Sequence, residues 1–181
     1  MSRSRTFLAL TALAMASVAD AQPTIDGATG EVATRLLAAH NRERSLVGAP
    51  PLQWDATLAA HAASYGPVLA RLRTLVHSPR DGRPGERENL AMGWHGTMSP
   101  EALVGMWSRE KQLLLPGVFP QVSSTGQWED IAHYTQMVWP TTTHVGCAIF
   151  PADWDYLICR YSPPGNIDGK PVFASASLLN R

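Results

Sequence analysis

The amino-acid sequence predicts an α+β fold. Helical patterns occupy most of the first two thirds of the chain, and two short apolar runs near its end, residues 144–150 and 156–162, have the composition of strands. Of the 181 residues, 45% are hydrophobic and 17% are charged, which is enough apolar material for one domain with its own core. The 15 basic residues balance the 15 acidic ones, so the overall charge indicates neither a nucleic-acid partner nor a strongly charged substrate.

The first 21 residues have the features of a secretory signal peptide. Arg3 and Arg5 precede an apolar stretch too short to span a bilayer comfortably, and residues 19–21 (ADA) form a small-x-small cleavage pattern. We predict a signal peptide over residues 1–21, a leader over 22–30, one domain over 31–175 and a short tail over 176–181. The mature protein is expected to be secreted or periplasmic, with no transmembrane segment after cleavage.

Helical periodicity and capping residues predict the helices. Residues 31–48 carry apolar side chains near the helical period, and residues 52–66 follow two prolines, with Asp55 as a good N-cap. A third helix begins at Ser99, and a short one is expected over residues 128–139. The apolar stripe of the third helix includes one carboxylate and consists of Leu103, Met106, Trp107 and Glu110.

The two terminal strands predict a hairpin that places the two cysteines opposite each other. Turn residues separate the strands, and a hairpin centred on residue 153 pairs Cys147 with Cys159. Opposed residues in such a ladder have Cα atoms roughly 4.5 to 5.5 Å apart, within the range of a disulfide. A disulfide suits an exported chain, and two buried free thiols are the alternative.

Four separated segments carry a family resemblance. They are HNRER (residues 40–44), RENLA (87–91), AHYTQMVW (132–139) and YLICRYSPPGN (156–166). Together, and in this order, they resemble the motifs of the cysteine-rich secretory protein, venom antigen and pathogenesis-related (CAP) superfamily. The resemblance extends over roughly residues 31–173. Arg87 and Ala132 stand where the family motifs have glycine.

The resemblance implies a three-layer α-β-α sandwich with a small antiparallel sheet. It also implies a central cleft that holds two histidines and two glutamates, which correspond here to His77, Glu88, Glu110 and His133. His77 precedes a loop of variable length, and His95 is the nearby alternative for that position. His40, Asn41, Arg44 and Asn89 are interpreted as structural residues.

This set of four residues is compatible with three chemistries. His77 and His133 are candidate ligands for a weakly bound divalent cation such as zinc, although no HExxH motif supports a metal site. Glu88 or Glu110 is the candidate catalytic base of a hydrolase, but the sequence has no GxSxG elbow. The third interpretation is a polar network in which each glutamate orients a histidine.

We therefore favour a non-catalytic binding module over two alternatives, a protein-interaction scaffold and a metal-dependent hydrolase or protease. The expected ligand is small, a lipid, peptide or glycan, and the resemblance favours a lipid because eukaryotic members of the family are associated with sterol or fatty-acid binding. We expect a monomer without a nucleic-acid partner.

Overall fold

A computed structural model of the protein describes residues 30–173. The predicted signal peptide (1–21), the leader up to residue 29 and the tail (176–181) lie outside the described residues. No helix within residues 30–173 is long and apolar enough to cross a membrane. The helices are α1 (Gly30–Leu46), α2 (Ala56–Leu72), α3 (Pro100–Ser108) and α4 (Ala132–Val138), and the strands are β1 (Gln53–Trp54), β2 (Arg87–Trp94), β3 (His144–Pro151) and β4 (Trp154–Ser162).

The four strands form one mixed sheet in the order β1-β3-β4-β2. Strands β2, β4 and β3 pair in antiparallel fashion, as in the antiparallel sheet that the resemblance implies, but β1 pairs with β3 in parallel through Gln53 and Trp54. The sheet is therefore not wholly antiparallel. Asn41 of α1 explains the position of β1, because its side chain accepts from the Leu52 N–H and donates to the Leu52 carbonyl, which holds the chain beside β3.

The sheet separates two helical layers, which confirms the predicted α+β sandwich. Along β4, Leu157, Cys159 and Tyr161 belong to the core shared with α1, α3 and α4. The alternate residues Tyr156 and Ile158 belong to the core shared with α2. Because side chains alternate across a strand, burial of both faces makes β4 almost continuously buried.

The predicted register of the terminal hairpin is confirmed. Cys147 pairs with Cys159 between β3 and β4, their Cα atoms lie 4.1 Å apart, and the two residues form a disulfide. Both cysteines are fully buried in the core that α1, α3 and α4 share with the sheet. The pairing therefore follows from strand register, as the sequence predicted.

Two elements differ from the prediction. Helix α2 continues past Gly66 and Pro67 to Leu72, and it ends where Arg73 adopts a left-handed conformation (φ 55°) and donates its N–H to the Leu69 carbonyl. The segment that begins with RENLA is strand β2, which the sequence pattern did not predict. Its polar residues pair with β4, with Glu88 opposite Arg160.

The HNRER segment (residues 40–44), which lies in α1, has the structural role predicted for it. Arg44 is fully buried, and its guanidinium donates to four backbone carbonyls, those of Pro50, Met137, Trp139 and Thr142. These bonds tie α1 to the loop before β1 and to the end of α4. The motif thereby fixes α4, which carries one of the predicted site histidines.

Candidate functional site

A cleft of about 740 Å³ lies on the face of the molecule where β2, α4 and three loops meet. His77, Glu88 and His133, three of the four predicted site residues, line this cleft. They come from the loop after α2, from β2 and from the first turn of α4, respectively. The fold thus brings together residues separated by up to 56 positions in the sequence.

His77 is oriented by Glu88. Its Nδ1 lies 2.8 Å from Glu88 Oε1, and its side chain is 53% exposed whereas that of Glu88 is fully buried. An ionised carboxylate accepts from Nδ1–H, so the imidazole of a neutral His77 keeps an unprotonated Nε2. The structure gives Nε2 no hydrogen-bond partner within the described part of the chain.

Glu88 has every carboxylate position occupied by donors. Oε1 also accepts from the Ser78 N–H at 3.0 Å, and Oε2 accepts from Ser78 Oγ at 3.0 Å and lies 2.9 Å from Arg160 Nη2. Burial alone raises the pKa of Glu88, but the His77 hydrogen bond, the Arg160 charge and the two Ser78 hydrogen bonds outweigh it, so the pKa is lowered. Glu88 is therefore held as a carboxylate.

His133 is oriented in the same way by Glu110. Its Nδ1 lies 2.6 Å from Glu110 Oε1, and Glu110 Oε2 accepts from the Tyr134 N–H at 2.9 Å. The indole of Trp107 stacks against His133 with ring centroids 6.0 Å apart. Glu110 lies in a short 3₁₀ helix after α3 and is not among the residues that line the cleft, so it acts behind the histidine.

A buried polar chain connects the cleft with α1. Asn89 donates to the His133 carbonyl at 3.0 Å and to the Tyr161 hydroxyl at 3.1 Å. The Tyr161 hydroxyl donates to His40 Nε2 at 2.9 Å, and His40 Nδ1 donates to the Leu36 carbonyl at 2.7 Å. Burial lowers the pKa of His40 to about 4, so the ring is neutral and the direction of these bonds is set. His40 has the structural role interpreted from the sequence, whereas Asn89 both joins this network and lines the cleft.

The alternative histidine, His95, lies outside the cleft. It pairs with Asp155 at 2.7 Å and is not a lining residue. The structure therefore places His77, rather than His95, beside Glu88.

The His40, Cys147 and Cys159 side chains form a second group of metal-ligating atoms, all within 4.8 Å of one another. Within residues 30–173 this is the one group of three or more such residues that close together. The two sulfurs are joined in the disulfide, and both ring nitrogens of His40 are hydrogen-bonded. Metal binding here would require reduction of the disulfide, because thiolates are the ligands that metals take. The side chains of His77, Glu88, Glu110 and His133 do not place three ligand atoms within that distance of one another.

Several lining residues were not predicted from the sequence. Aromatic side chains of Phe119 and Trp128 line the cleft, and so do Arg80, Arg83 and Arg87. Three arginines within eight residues are a local cluster of positive charge in the sequence, but the neutral overall charge does not reveal such a cluster. Ser78 and Arg160, which hold Glu88, carry no signal in the sequence because their role depends on the pairing of β2 with β4.

Comparisons with known proteins agree with this architecture. The profile of the cysteine-rich secretory protein family (CAP) matches residues 37–161. Pathogenesis-related protein 1C of Nicotiana tabacum is 41% identical over 140 residues, which cover 76% of this chain and 78% of that protein.

Solved structures share the sandwich. The crystal structure of Na-ASP-1 matches with a TM-score of 0.68 at 25% identity, over 90% of this chain and 46% of that one. The crystal structure of NaASP2 with Zn²⁺ matches with a TM-score of 0.62 at 24% identity, over 82% of this chain and 87% of that one. The chain therefore spans less than half the length of Na-ASP-1.

Proposed function

This chain belongs to the cysteine-rich secretory protein (CAP) family, and from that premise we propose that it is an exported, non-catalytic binding module whose cleft takes a small ligand. The observation that carries the proposal is the cleft itself, which has a volume of about 740 Å³ and combines aromatic side chains, Phe119 and Trp128, with polar ones, His77 and Asn166. This size and mixture are typical of small-molecule sites. A lipid is the ligand class that we favour.

The hydrogen bonding of the two glutamates argues against hydrolysis. Both oxygens of Glu88 and both oxygens of Glu110 are already engaged by histidine, serine, arginine or backbone donors. A carboxylate whose pKa is lowered, as that of Glu88 is, makes a weak general base. The Ser78 hydroxyl is buried, donates to this weak base and accepts from Arg160 Nη2, so we interpret it as a positioning group rather than a nucleophile. A hydrolase or protease therefore ranks below a binding module, and an interaction scaffold ranks between them.

Divalent-metal binding at His77 and His133 is a second candidate function. Each histidine has its Nδ1 against a carboxylate, an arrangement typical of metal-ligating imidazoles, and both rings line the same cleft. A cation here would be held through the two Nε2 atoms, and with only two protein ligands we expect weak binding. A bound zinc would supply a Lewis acid there.

Export is the other part of the proposal. The disulfide fits an oxidising compartment, where such bonds persist. Expression of the whole chain in a bacterial host, followed by N-terminal sequencing of the exported protein, should give Gln22 as the first residue. A protein that keeps Met1 and stays in the cytoplasm would contradict export.

The binding function is tested by extraction of ligands from the exported protein. We would extract wild-type protein with organic solvent and identify the bound molecules by mass spectrometry. Ala132 lines the cleft, so Ala132→Phe should fill it without removing either histidine–glutamate pair, and the bound molecule should be lost. Ala102→Phe, at an exposed position of α3, is the matched control. Equal amounts of the same ligand from wild type and Ala132→Phe would exclude the cleft as the binding site.

A further inference from the structure

One wall of the cleft is strongly basic. Arg80, Arg83 and Arg87, which we call the basic wall, all line the cleft. None of the three has a carboxylate oxygen within 4.0 Å in the part of the chain that the structure describes. The basic wall thus presents three guanidinium groups without an ion-pair partner among these residues.

Arg83 is held in place by neutral groups. The residue is only 7% exposed, and its guanidinium donates to two backbone carbonyls, from Nε to Ser78 at 3.1 Å and from Nη1 to Glu86 at 3.3 Å. Its Nη2 makes no hydrogen bond to residues 30–173, and this atom is accessible to solvent. A largely buried charge without a counter-charge is costly unless an anion pairs with it.

The neighbouring acidic groups are already engaged. Glu86 pairs with His61 at 2.7 Å and with Arg160 at 3.3 Å, and Glu88 pairs with His77 and Arg160. Around the basic wall, four arginines, including Arg160, thus stand against two glutamates. Asp168 and Glu129 also line the cleft, and both are exposed. Neither carboxylate lies within 4.0 Å of the basic wall, although the charge of Asp168 acts on Arg87 at longer range.

The arginines also lie close enough to repel one another. Burial lowers the pKa of Arg83, and the charges of Arg160, Arg80 and Arg87 lower it further, against the opposite effect of Glu88. Burial and Arg80 likewise lower the pKa of Arg87, against the opposite effect of Asp168. A bound anion would relieve this repulsion.

We propose that the basic wall binds an oxyanion, a phosphate or carboxylate group, carried by the ligand of the cleft. The inference rests on the proposed binding function and specifies its ligand class. Arginine presents a planar fork of donors that matches these groups in geometry and charge. The aromatic side chains of Phe119 and Trp128 line the same cleft and suit the apolar part of such a ligand. The ligand is therefore an amphiphile with an anionic head.

Three probes test this proposal by calorimetric titration at low ionic strength: octyl phosphate, octanol and inorganic phosphate. Octyl phosphate should bind at least about tenfold more tightly than octanol, which has the same tail without the charge. The double variant Arg80→Gln, Arg87→Gln should lose roughly that factor for octyl phosphate and keep its affinity for octanol. The matched control, Arg42→Gln with Arg71→Gln, removes two exposed arginines outside the cleft and should bind all probes as wild type does.

The three probes separate the outcomes. Inorganic phosphate that binds by itself and competes with octyl phosphate supports an oxyanion site that a free anion can occupy, whereas binding of octyl phosphate alone supports a head group presented by a lipid. Equal affinities for octyl phosphate and octanol would overturn the oxyanion site and leave the binding cleft in place. An equal loss in the control variant would also overturn it. Failure of all three probes to bind would overturn the oxyanion site, whereas the binding function is decided separately by the ligand extraction.

Discussion

Glu88 and Arg160 face each other across the β2–β4 ladder and form an almost fully buried ion pair, with Oε2 2.9 Å from Nη2. The same carboxylate holds His77 at the cleft. One side chain therefore serves both the sheet and the candidate site, and its removal should affect stability as well as the orientation of a histidine.

Glu88→Gln should destabilise the protein by roughly 3 kcal/mol, because it leaves the Arg160 charge buried with only Glu86 as a partner. The measurement is urea unfolding at neutral pH. Glu129→Gln makes the same change at an exposed position that lines the same cleft, and it should lie within about 0.5 kcal/mol of wild type. Equal stability of the two variants would show that the pair contributes nothing net.

The stability of the protein should fall as the pH drops from 6.5 to about 4, because His40 is buried in its neutral form with a pKa of about 4, against 6.5 for an exposed histidine. Over this range the unfolded chain binds a proton that the folded protein does not, so folding loses roughly 3 kcal/mol. The pKa of Glu88 is also lowered by folding. Its carboxylate therefore stabilises the folded protein at pH values above the usual glutamate pKa, and this stabilisation is lost as the pH falls through the lowered pKa of the folded state.

The check is a series of urea unfolding curves between pH 4 and pH 7. His40→Gln should be less stable than wild type at pH 7 but should depend less on pH, since the titrating group is gone. His61→Gln, which removes a half-exposed histidine, should keep the wild-type slope. A wild-type slope in His40→Gln would assign the pH dependence to other groups.

Gly146→Ala should prevent α2 from packing on the sheet. A Cβ at this position would overlap backbone atoms of Leu58 and Ala59 in α2 and of its N-cap Asp55. Backbone atoms cannot move aside as the end of a flexible side chain can. We expect a loss of several kcal/mol in unfolding free energy or failure to fold. Gly105→Ala is the control, since a Cβ there meets nothing within 4 Å and should stabilise α3 by up to about 1 kcal/mol. Equal thermal unfolding temperatures for Gly146→Ala and Gly105→Ala would contradict the close approach of α2 to the backbone of Gly146.

Local signals in the sequence predicted some elements well. The N-caps Asp55 and Ser99 were recognised because capping depends on residues adjacent in the chain, and the Cys147–Cys159 pairing followed from the short hairpin between them. Strand β2 was missed because its polar residues are buried by pairing with β4, a contact across about 70 residues. Helix α2 continues past Gly66 and Pro67 because packing on the sheet outweighs their low helix propensity.

The candidate site, like the fold, could be predicted only in part from the sequence. The resemblance indicated His77, Glu88, Glu110 and His133, and the structure places them as two histidine–glutamate pairs. The basic wall was not predicted, because net charge sums over the chain whereas a binding site depends on where the charges lie. Arg160 was missed as well, since its contact with Glu88 exists only once β2 and β4 pair.

Titration of metal-stripped protein with Zn²⁺ tests the histidine pair. The heats for wild type should saturate and fit one binding site of modest affinity. The reason is that two imidazoles line the cleft, each with an Nε2 atom that makes no hydrogen bond to residues 30–173. The affinity should fall at acidic pH, because protons compete with the metal ion for the imidazole nitrogens. The double variant His77→Ala, His133→Ala should lose the heat.

His95→Ala is the matched control for that titration, since His95 also has its Nδ1 on a carboxylate, at 2.7 Å from Asp155, but lies outside the cleft. It should bind Zn²⁺ as wild type does. If the double variant and wild type give identical heats, the two histidines do not hold a metal, and their pairing with Glu88 and Glu110 serves only to shape the cleft. Loss of binding in the double variant alone would instead make the Nε2 atoms the ligands, with the glutamates as the groups that orient them.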